Sequence, residues 1–149
     1  MEHVTDNPFK AISILYRKSH IWLNNSCAQY GLTAAQAMVI LIVCDFQSLT
    51  QDEITKRLGL DKSVIAKTVT KLEEMGFLVR TPNPKDKRTY CIEPTEQSWA
   101  AYPAVKEQID ICFQRMTCQM SPEQQAQFKQ LLLLAVQATI AQEDGALEL

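Results

Sequence analysis

The spacing of apolar residues along the chain predicts long helices at both ends. Near the start, apolar positions recur at helical intervals: Phe9, Ile12, Tyr16, Leu23 and Cys27. Pro8 suits the first turn of this helix, because a first-turn amide has no helical partner, and Tyr30-Gly31 is expected to end it. The helical spacing returns after Thr95, through Trp99, Tyr102, Val105, Ile109, Cys112, Phe113 and Met116.

Three capping boxes predict where further helices begin. In each, a hydroxyl residue and a glutamine or glutamate three positions later satisfy each other's free backbone amides. The pairs are Thr33 with Gln36, Thr50 with Glu53, and Ser121 with Gln124. The last opens a helix with a wide apolar side, formed by Phe128, Leu131, Leu132, Ala135 and Val136. Wide apolar stripes on terminal helices indicate pairing with a second copy of the chain or packing against the first helix.

The middle of the chain reads as a helix-turn-helix followed by a β-hairpin. Gly59 closes the short helix opened by Thr50, and Asp61 is a suitable N-cap for the next one. That fourth helix buries Ile65, Val69 and Leu72 and stops at Gly76, after which residues 77–79 and 89–92 are strand-like. Pro82 and Pro84 frame the turn between the strands. The predicted fold class is mainly α with a small β-hairpin.

The charge is unevenly distributed along the 149 residues, whose formal net charge is -2. Residues 53–90 hold nine Lys or Arg against five Asp or Glu, whereas the remainder holds six against twelve. A local positive field is expected where a protein meets a phosphate backbone, although a solvated basic face is an alternative. The hairpin tip adds Lys85, Lys87 and Arg88 to this field.

The fourth helix is predicted to lie in the major groove of DNA. Its outward face carries small and basic residues and no acidic residue after Asp61: Lys62, Ser63, Val64, Ala66, Lys67, Thr70 and Lys71. Ser63, Val64, Ala66 and Lys67 are the expected base contacts, and Lys62, Thr70 and Lys71 the expected phosphate contacts. Arg88 is expected to enter the minor groove, with Asp86 either holding its guanidinium or serving only as a turn residue.

The stretch LDKSVIAKTVTKLEEMGFLVR, followed by Asp86 and Arg88, resembles the recognition helix and wing of the MarR family of multiple-antibiotic-resistance regulators. Further positions at the family's spacing are Leu72, Glu73, Gly76, Phe77, Arg80 and Thr95. The resemblance implies a homodimeric winged-helix regulator of a pseudo-palindromic operator, usually a repressor released by a small ligand or by oxidation. It also implies dimerisation helices at 1–31 and 96–149 around a DNA-binding lobe at 33–94. The chain departs from the family's usual residues at Val64, Ala66, Pro94 and Ser98.

Three kinds of sensor remain open from the sequence. Four aromatic residues, Trp22, Tyr30, Trp99 and Tyr102, form either a site for a small aromatic or amphipathic inducer or ordinary core. Cys27 and Cys91 are the candidates for a redox switch, or else inert buried thiols. A metal site is weakly indicated by His20 and Cys27, with His3 as the other histidine, because further ligands are lacking.

Other function classes find little support in the sequence. With two histidines, four glycines and no phosphate loop or paired nucleophile and base, the chain is not expected to be an enzyme, and no cofactor is expected. A winged helix that binds only protein is the alternative to DNA binding. The five cysteines include no CxxC pair, and no export signal or membrane span is recognisable, so a cytoplasmic location with reduced thiols is expected.

Overall fold

The computed structural model describes residues 5–145 as six α-helices with a short three-stranded sheet. The helices are α1 (Pro8–Cys27), α2 (Ala34–Phe46), α3 (Gln51–Leu58), α4 (Lys62–Glu74), α5 (Glu96–Met116) and α6 (Pro122–Glu143). The strands are β1 (Leu49–Thr50), β2 (Leu78–Pro82) and β3 (Tyr90–Pro94). A 3-10 turn, Ala28–Tyr30, follows α1. This order confirms the predicted winged helix-turn-helix class.

The chain divides into two compact units, the first reaching Phe113 and the second beginning at Gln114. The core of the first unit joins the helix-turn-helix to the sheet. Ile54 of α3, Ile65, Val69 and Leu72 of α4, and Ile92 of β3 have no more than 1% of their surface exposed. Each such side chain contributes roughly 1.5–3 kcal/mol by burial. These contacts fix the inward side of α4 and leave its other side outward.

The helix boundaries agree with the predicted caps. At all three capping boxes the reciprocal hydrogen bonds are present, as at Thr33, where Gln36 N donates to Oγ1 at 3.2 Å and Gln36 Oε1 accepts from the Thr33 amide at 2.9 Å. Gly59 ends α3 with φ 61° in the left-handed region. Asp61 occupies the N-cap position of α4, but its side chain makes no capping hydrogen bond.

The sheet contains the predicted hairpin and one further strand. The strand order is β1-β3-β2, antiparallel throughout, with Leu49 opposite Ile92 on one side of β3 and Arg80 opposite Ile92 on the other. The short strand β1 was not predicted, because two residues give no readable alternation. It ties the start of α3 to the hairpin, which is called the wing below and comprises residues 78–94.

Apolar side chains are exposed on α1 and on α6. On α1, Phe9, Ile12 and Tyr16 are 80%, 62% and 58% exposed. On α6 no residue is buried, and Leu131 and Leu133 are 57% and 53% exposed. Among residues 5–145 no single helix is long and apolar enough to cross a membrane; only α1 with its 3-10 turn and α2, taken together and bent by 75°, meet that test on length and composition.

Candidate nucleic-acid interface

The predicted DNA-reading face of α4 lies open to solvent. Six of its seven residues are exposed and Ala66 is half-buried; the exposed ones are Lys62, Ser63, Val64, Lys67, Thr70 and Lys71. The opposite side of the helix, carrying Ile65, Val69 and Leu72, is fully buried. Because these three side chains fix the rotation of α4, the seven predicted contacts share one outward face.

An acidic residue also lies on this face. A groove of about 340 Å³ is lined by Ala66, Lys67, Thr70, Lys71 and Glu74, and the Lys71 ammonium lies 3.5 Å from the Glu74 carboxylate. The prediction that the face has no acidic residue after Asp61 is therefore wrong. Glu74 follows Thr70 and Lys71 by one helical turn, and residues three or four apart share a side of a helix. The positive charge is thus partly offset at the C-terminal end of α4.

Lys62 is paired near the start of α4. Its ammonium lies 3.4 Å from the Asp52 carboxylate of α3, and the two side chains are 77% and 73% exposed. An ion pair this exposed contributes at most about 1 kcal/mol to stability. Its lysine can readily exchange the Asp52 carboxylate for another anion. Lys62 is therefore available to a phosphate, while Asp52 steers it across the turn of the helix-turn-helix.

The wing tip holds its arginine in place. Asp86 Oδ1 accepts hydrogen bonds from the Arg88 backbone amide at 3.0 Å and from Arg88 Nε at 3.2 Å. Asp86 therefore serves both as a turn residue and as a partner of the guanidinium. The Arg88 side chain nevertheless remains 90% exposed. An exposed but oriented guanidinium can donate to a further acceptor, since it has five N–H groups.

Further hydrogen bonds close the loop of the tip. The Thr89 amide donates to the Asp86 carbonyl at 3.1 Å, Asn83 Nδ2 donates to Thr89 Oγ1 at 2.9 Å, and the Lys85 amide donates to Asn83 Oδ1 at 3.0 Å. The side chains of Lys85 and Lys87 are exposed. The tip is therefore a structured basic loop whose backbone is fixed by its own polar residues.

An ion pair that sequence reasoning did not assign connects the wing to α4. Arg80 Nε of β2 donates to Glu73 Oε1 of α4 at 2.5 Å, with both side chains no more than 36% exposed. Glu73 and Arg80 stand at the spacing typical of the MarR family, but that spacing alone does not indicate that the two side chains touch. The pair fixes the wing relative to the helix beside it.

The four aromatic candidates for an inducer site differ in burial. Trp22, Tyr30 and Tyr102 pack, partly buried, against the core, while Trp99 is 44% exposed. Trp99 meets Tyr102 edge to face with ring centroids 5.8 Å apart. The Tyr102 hydroxyl donates to Asp45 of α2, and this hydrogen bond, with some burial, raises the pKa of Tyr102 to about 12. The structure thus brings Trp99 and Tyr102 together beside an acidic group.

The cysteines and histidines give less support for a redox or metal sensor. Cys27 is fully buried, and burial raises the pKa of its thiol, which disfavours the reactive thiolate. Cys91 lies half-buried in β3. Within residues 5–145 no group of three or more His, Cys, Asp or Glu side chains is arranged to hold a metal ion. His20 is described, whereas His3 lies outside the described residues.

Comparison with known proteins matches one segment of the chain to a family. The sequence profile of the MarR family matches residues 30–89, a segment that contains α4 and Arg88. This segment of the chain is similar to the MarR family. The resemblance seen in the recognition helix and wing is thereby confirmed, and the curated relatives are transcription regulators rather than enzymes.

The curated relatives match about half of the chain. An uncharacterized HTH-type transcriptional regulator of Bacillus cereus is 35% identical over 78 residues, which are 52% of this chain and 51% of that protein. The HTH-type transcriptional repressor MdtR of Bacillus subtilis is 26% identical over 87 residues, 58% of this chain and 56% of MdtR. The chain therefore spans about half the length of the curated relatives it matches.

Solved structures match nearly the whole chain. The crystal structure of the transcriptional regulator SlyA has a TM-score of 0.85 and 21% identity, covering 96% of this chain and all of that one, 100%. A cysteine-to-serine mutant of Escherichia coli MarR in complex with operator DNA has a TM-score of 0.75 and 23% identity, covering 85% and 91% of the two chains. These likenesses establish the fold of the chain.

Proposed function

We propose that this protein is a sequence-specific DNA-binding transcription regulator of the MarR family. The observation that carries the proposal is an outward, mostly basic face on α4 beside a wing whose Arg88 is 90% exposed and held by Asp86. A helix of this kind fits the major groove, and an oriented arginine on a neighbouring hairpin fits the minor groove. A relative of the same fold, Escherichia coli MarR, has been solved with operator DNA, which supports this use of the fold.

Each predicted contact has a role in this proposal. Ser63, Val64, Ala66 and Lys67 meet base edges. Lys62, Thr70 and Lys71 bind phosphates, and Lys85 and Lys87 add phosphate contacts around Arg88. Glu74 limits the attraction at the far end of α4, because its carboxylate pairs with Lys71.

The protein is proposed to act as a homodimer on a pseudo-palindromic operator. The support is the apolar surface exposed on α1 and on α6, where Phe9 and Leu131 are 80% and 57% exposed. Large exposed apolar patches mark interaction sites, and two-fold pairing of identical patches is the commonest solution. In this scheme residues 1–31 and 96–149 dimerise and residues 33–94 read the DNA.

Repression released by a small ligand is the proposed output. Trp99 and Tyr102, with Trp22 and Tyr30 on the same core, are the proposed inducer site for a small aromatic or amphipathic molecule. Such a ligand works only if it binds one arrangement of the two recognition helices better than the other. Redox control through Cys27 or Cys91 is the alternative, and DNA binding that is unchanged by oxidant would exclude it. The proposed location is the cytoplasm.

Selection of duplexes from a random pool by the purified chain tests this function. We expect an enriched pseudo-palindrome with half-sites about one helical turn apart, roughly 10–10.5 bp. The selected duplex should bind about a thousandfold tighter than a scrambled duplex of the same composition. A pool without enrichment would contradict the proposal and favour a winged helix that binds protein.

A further inference from the structure

The C-terminal end of α4 is closed by a left-handed glycine. Gly76 has φ 86°; its amide donates to the Glu73 carbonyl at 3.0 Å, and the next amide, that of Phe77, donates to the Leu72 carbonyl at 2.9 Å. This pair of bonds is the usual glycine-dependent end of a helix. These bonds satisfy the Leu72 and Glu73 carbonyls of α4. The carbonyls of Met75, Gly76 and Phe77 lie beyond the end of the helix and have no partner within it.

Thr95, directly before α5, supplies partners for two of those carbonyls. Its backbone amide donates to the Phe77 carbonyl at 3.1 Å, continuing the pairing of β2 with β3. Its hydroxyl oxygen lies 2.7 Å from the Gly76 carbonyl and 3.1 Å from that of Phe77. Because a hydroxyl has a single hydrogen, it donates mainly to the nearer oxygen, that of Gly76.

Ser98, in the first turn of α5, supplies the next partner. Its hydroxyl donates to the Phe77 carbonyl, and the residue is 0% exposed. Together with the Thr95 amide, this bond fills both acceptor positions of the Phe77 carbonyl. Gln97 adds a third link, because its Nε2 donates to the Met75 carbonyl at 3.2 Å. Buried polar side chains that are fully bonded in this way specify one geometry.

We propose that Thr95 and Ser98 are positioning residues whose hydroxyls lock the end of α4 to the start of α5. This pair of side chains with the Gly76 and Phe77 carbonyls is called the carbonyl clamp. The inference rests on the proposed DNA-reading role of α4. Since Thr95 and Ser98 lie at the start of α5, the clamp makes α4 turn with the first turn of α5 and meet DNA at one angle.

The clamp adds a constraint that the core does not provide. Ile65, Val69 and Leu72 hold α4 against the rest of the core through apolar contacts, which are not directional. A hydrogen bond to a carbonyl is directional, so it resists a tilt that apolar contacts allow. Without the hydroxyls α4 stays folded, but it can tilt over a wider range of angles relative to α5. The protein then discriminates less strongly between operators with different half-site spacings.

The test compares three variants of the full chain. Thr95→Val and Ser98→Ala remove a hydroxyl with little change of volume. Thr95→Ser keeps the hydroxyl and is the matched control. Thermal unfolding identifies any variant that is not folded, and two independent clamp variants keep the test decisive if one of them fails to fold.

The first readout needs no DNA. We expect hydrogen exchange at the amides of Gly76 and Phe77 to be about tenfold faster in Thr95→Val and Ser98→Ala, while that of Cys44 in α2 is unchanged. Thr95→Ser should exchange like the wild type. Unchanged exchange at Gly76 and Phe77 in both clamp variants would overturn the proposal, whether or not the protein binds DNA.

The second readout is discrimination between two duplexes. One is the duplex selected by the wild type, and the other has one extra base pair between its half-sites. We expect the ratio of the two affinities to fall about tenfold in the clamp variants, the scale of an ordinary coupling between two sites. Equal weakening on both duplexes would show a merely structural role and overturn the proposal. A wild type that prefers no duplex would refute the proposed function, and the exchange comparison would still decide on the clamp.

Discussion

Asp86 and Arg88 form a two-residue unit at the tip of the wing. A single carboxylate oxygen accepts from both the backbone amide and the Nε of the arginine, at 3.0 and 3.2 Å. With Arg88 90% exposed, the pair adds little to stability, because exposed ion pairs contribute about 0–1 kcal/mol. Its effect lies in orientation, since a held guanidinium loses less side-chain entropy when it enters a groove.

Replacing Arg88 should weaken DNA binding more than replacing Asp86. We expect Arg88→Ala to weaken binding to the selected duplex by roughly 1–3 kcal/mol, the scale of a lost specific contact. Asp86→Ala should weaken the binding free energy by about 0.5–1.5 kcal/mol, because the Arg88 side chain must then be ordered when DNA binds. Fluorescence anisotropy titrations measure both, with Asp86→Asn as the control that keeps an acceptor but removes the charge. An unchanged affinity in Arg88→Ala would remove the wing from the interface.

Neutralising the carboxylate on the DNA-reading face should strengthen binding. Glu74 lies 3.5 Å from Lys71, so we expect Glu74→Gln to free that lysine for a phosphate. The affinity should rise at low salt, and the slope of log K against log salt should steepen by about 0.9, the value for one phosphate contact. Glu107→Gln, at an exposed position of α5, is the control for a general change of net charge. Equal slopes in the two variants would contradict the placement of Glu74.

The junction between α2 and β1 contains a strained residue. Gln47 has φ 66° and ψ -30° at the C-cap of α2, the only non-glycine residue with positive φ among those described. Glycine adopts such angles without steric cost. We therefore expect Gln47→Gly to raise the free energy of unfolding by about 0.5–1 kcal/mol, net of the entropy of the unfolded glycine. Chemical denaturation measures this, and Gln47→Ala, still strained, should change little; equal stability in both variants would contradict the strain.

Cys44 should make the protein less stable in alkali. Its side chain is 2% exposed, and burial, with the nearby Asp45 carboxylate, raises the pKa of its thiol from 9.0 to about 11. Because the unfolded thiol then loses its proton first, stability is full below about pH 9 and falls as the pH rises toward 11. We expect a loss of about 1–2 kcal/mol over this range. Denaturation curves at several pH values measure it, and a Cys44→Ala variant with the same slope would exclude this thiol as the cause.

Local signals in the sequence were sufficient for most of the fold. The capping boxes at Thr33, Thr50 and Ser121 act over three residues, so their hydrogen bonds can be read from the sequence alone. Gly59 and the inward spacing that starts at Ile65 are equally local, since one depends on a backbone angle and the other on the helical period. These features fixed the outward face of α4 before any contact was known.

Contacts between residues far apart in the sequence could not be predicted from these local signals. The Arg80–Glu73 ion pair joins residues seven apart across a change of element, and the Ser98–Phe77 bond joins residues 21 apart. Their formation depends on how β2 and α5 return to α4, which no periodicity specifies. Glu74 could have been placed on the DNA-reading face from its helical spacing to Thr70, so that error came from listing the outward face only as far as Lys71.

The account depends most directly on sequence-specific binding by the face of α4 and the wing. The decisive measurement is the affinity of the full chain for the DNA upstream of its own gene and for an unrelated duplex, across a salt series. We expect the upstream DNA to bind about a thousandfold tighter, with affinity falling steeply as salt rises. Equal, weak binding to both duplexes, together with no enriched sequence from a random pool, would contradict the account.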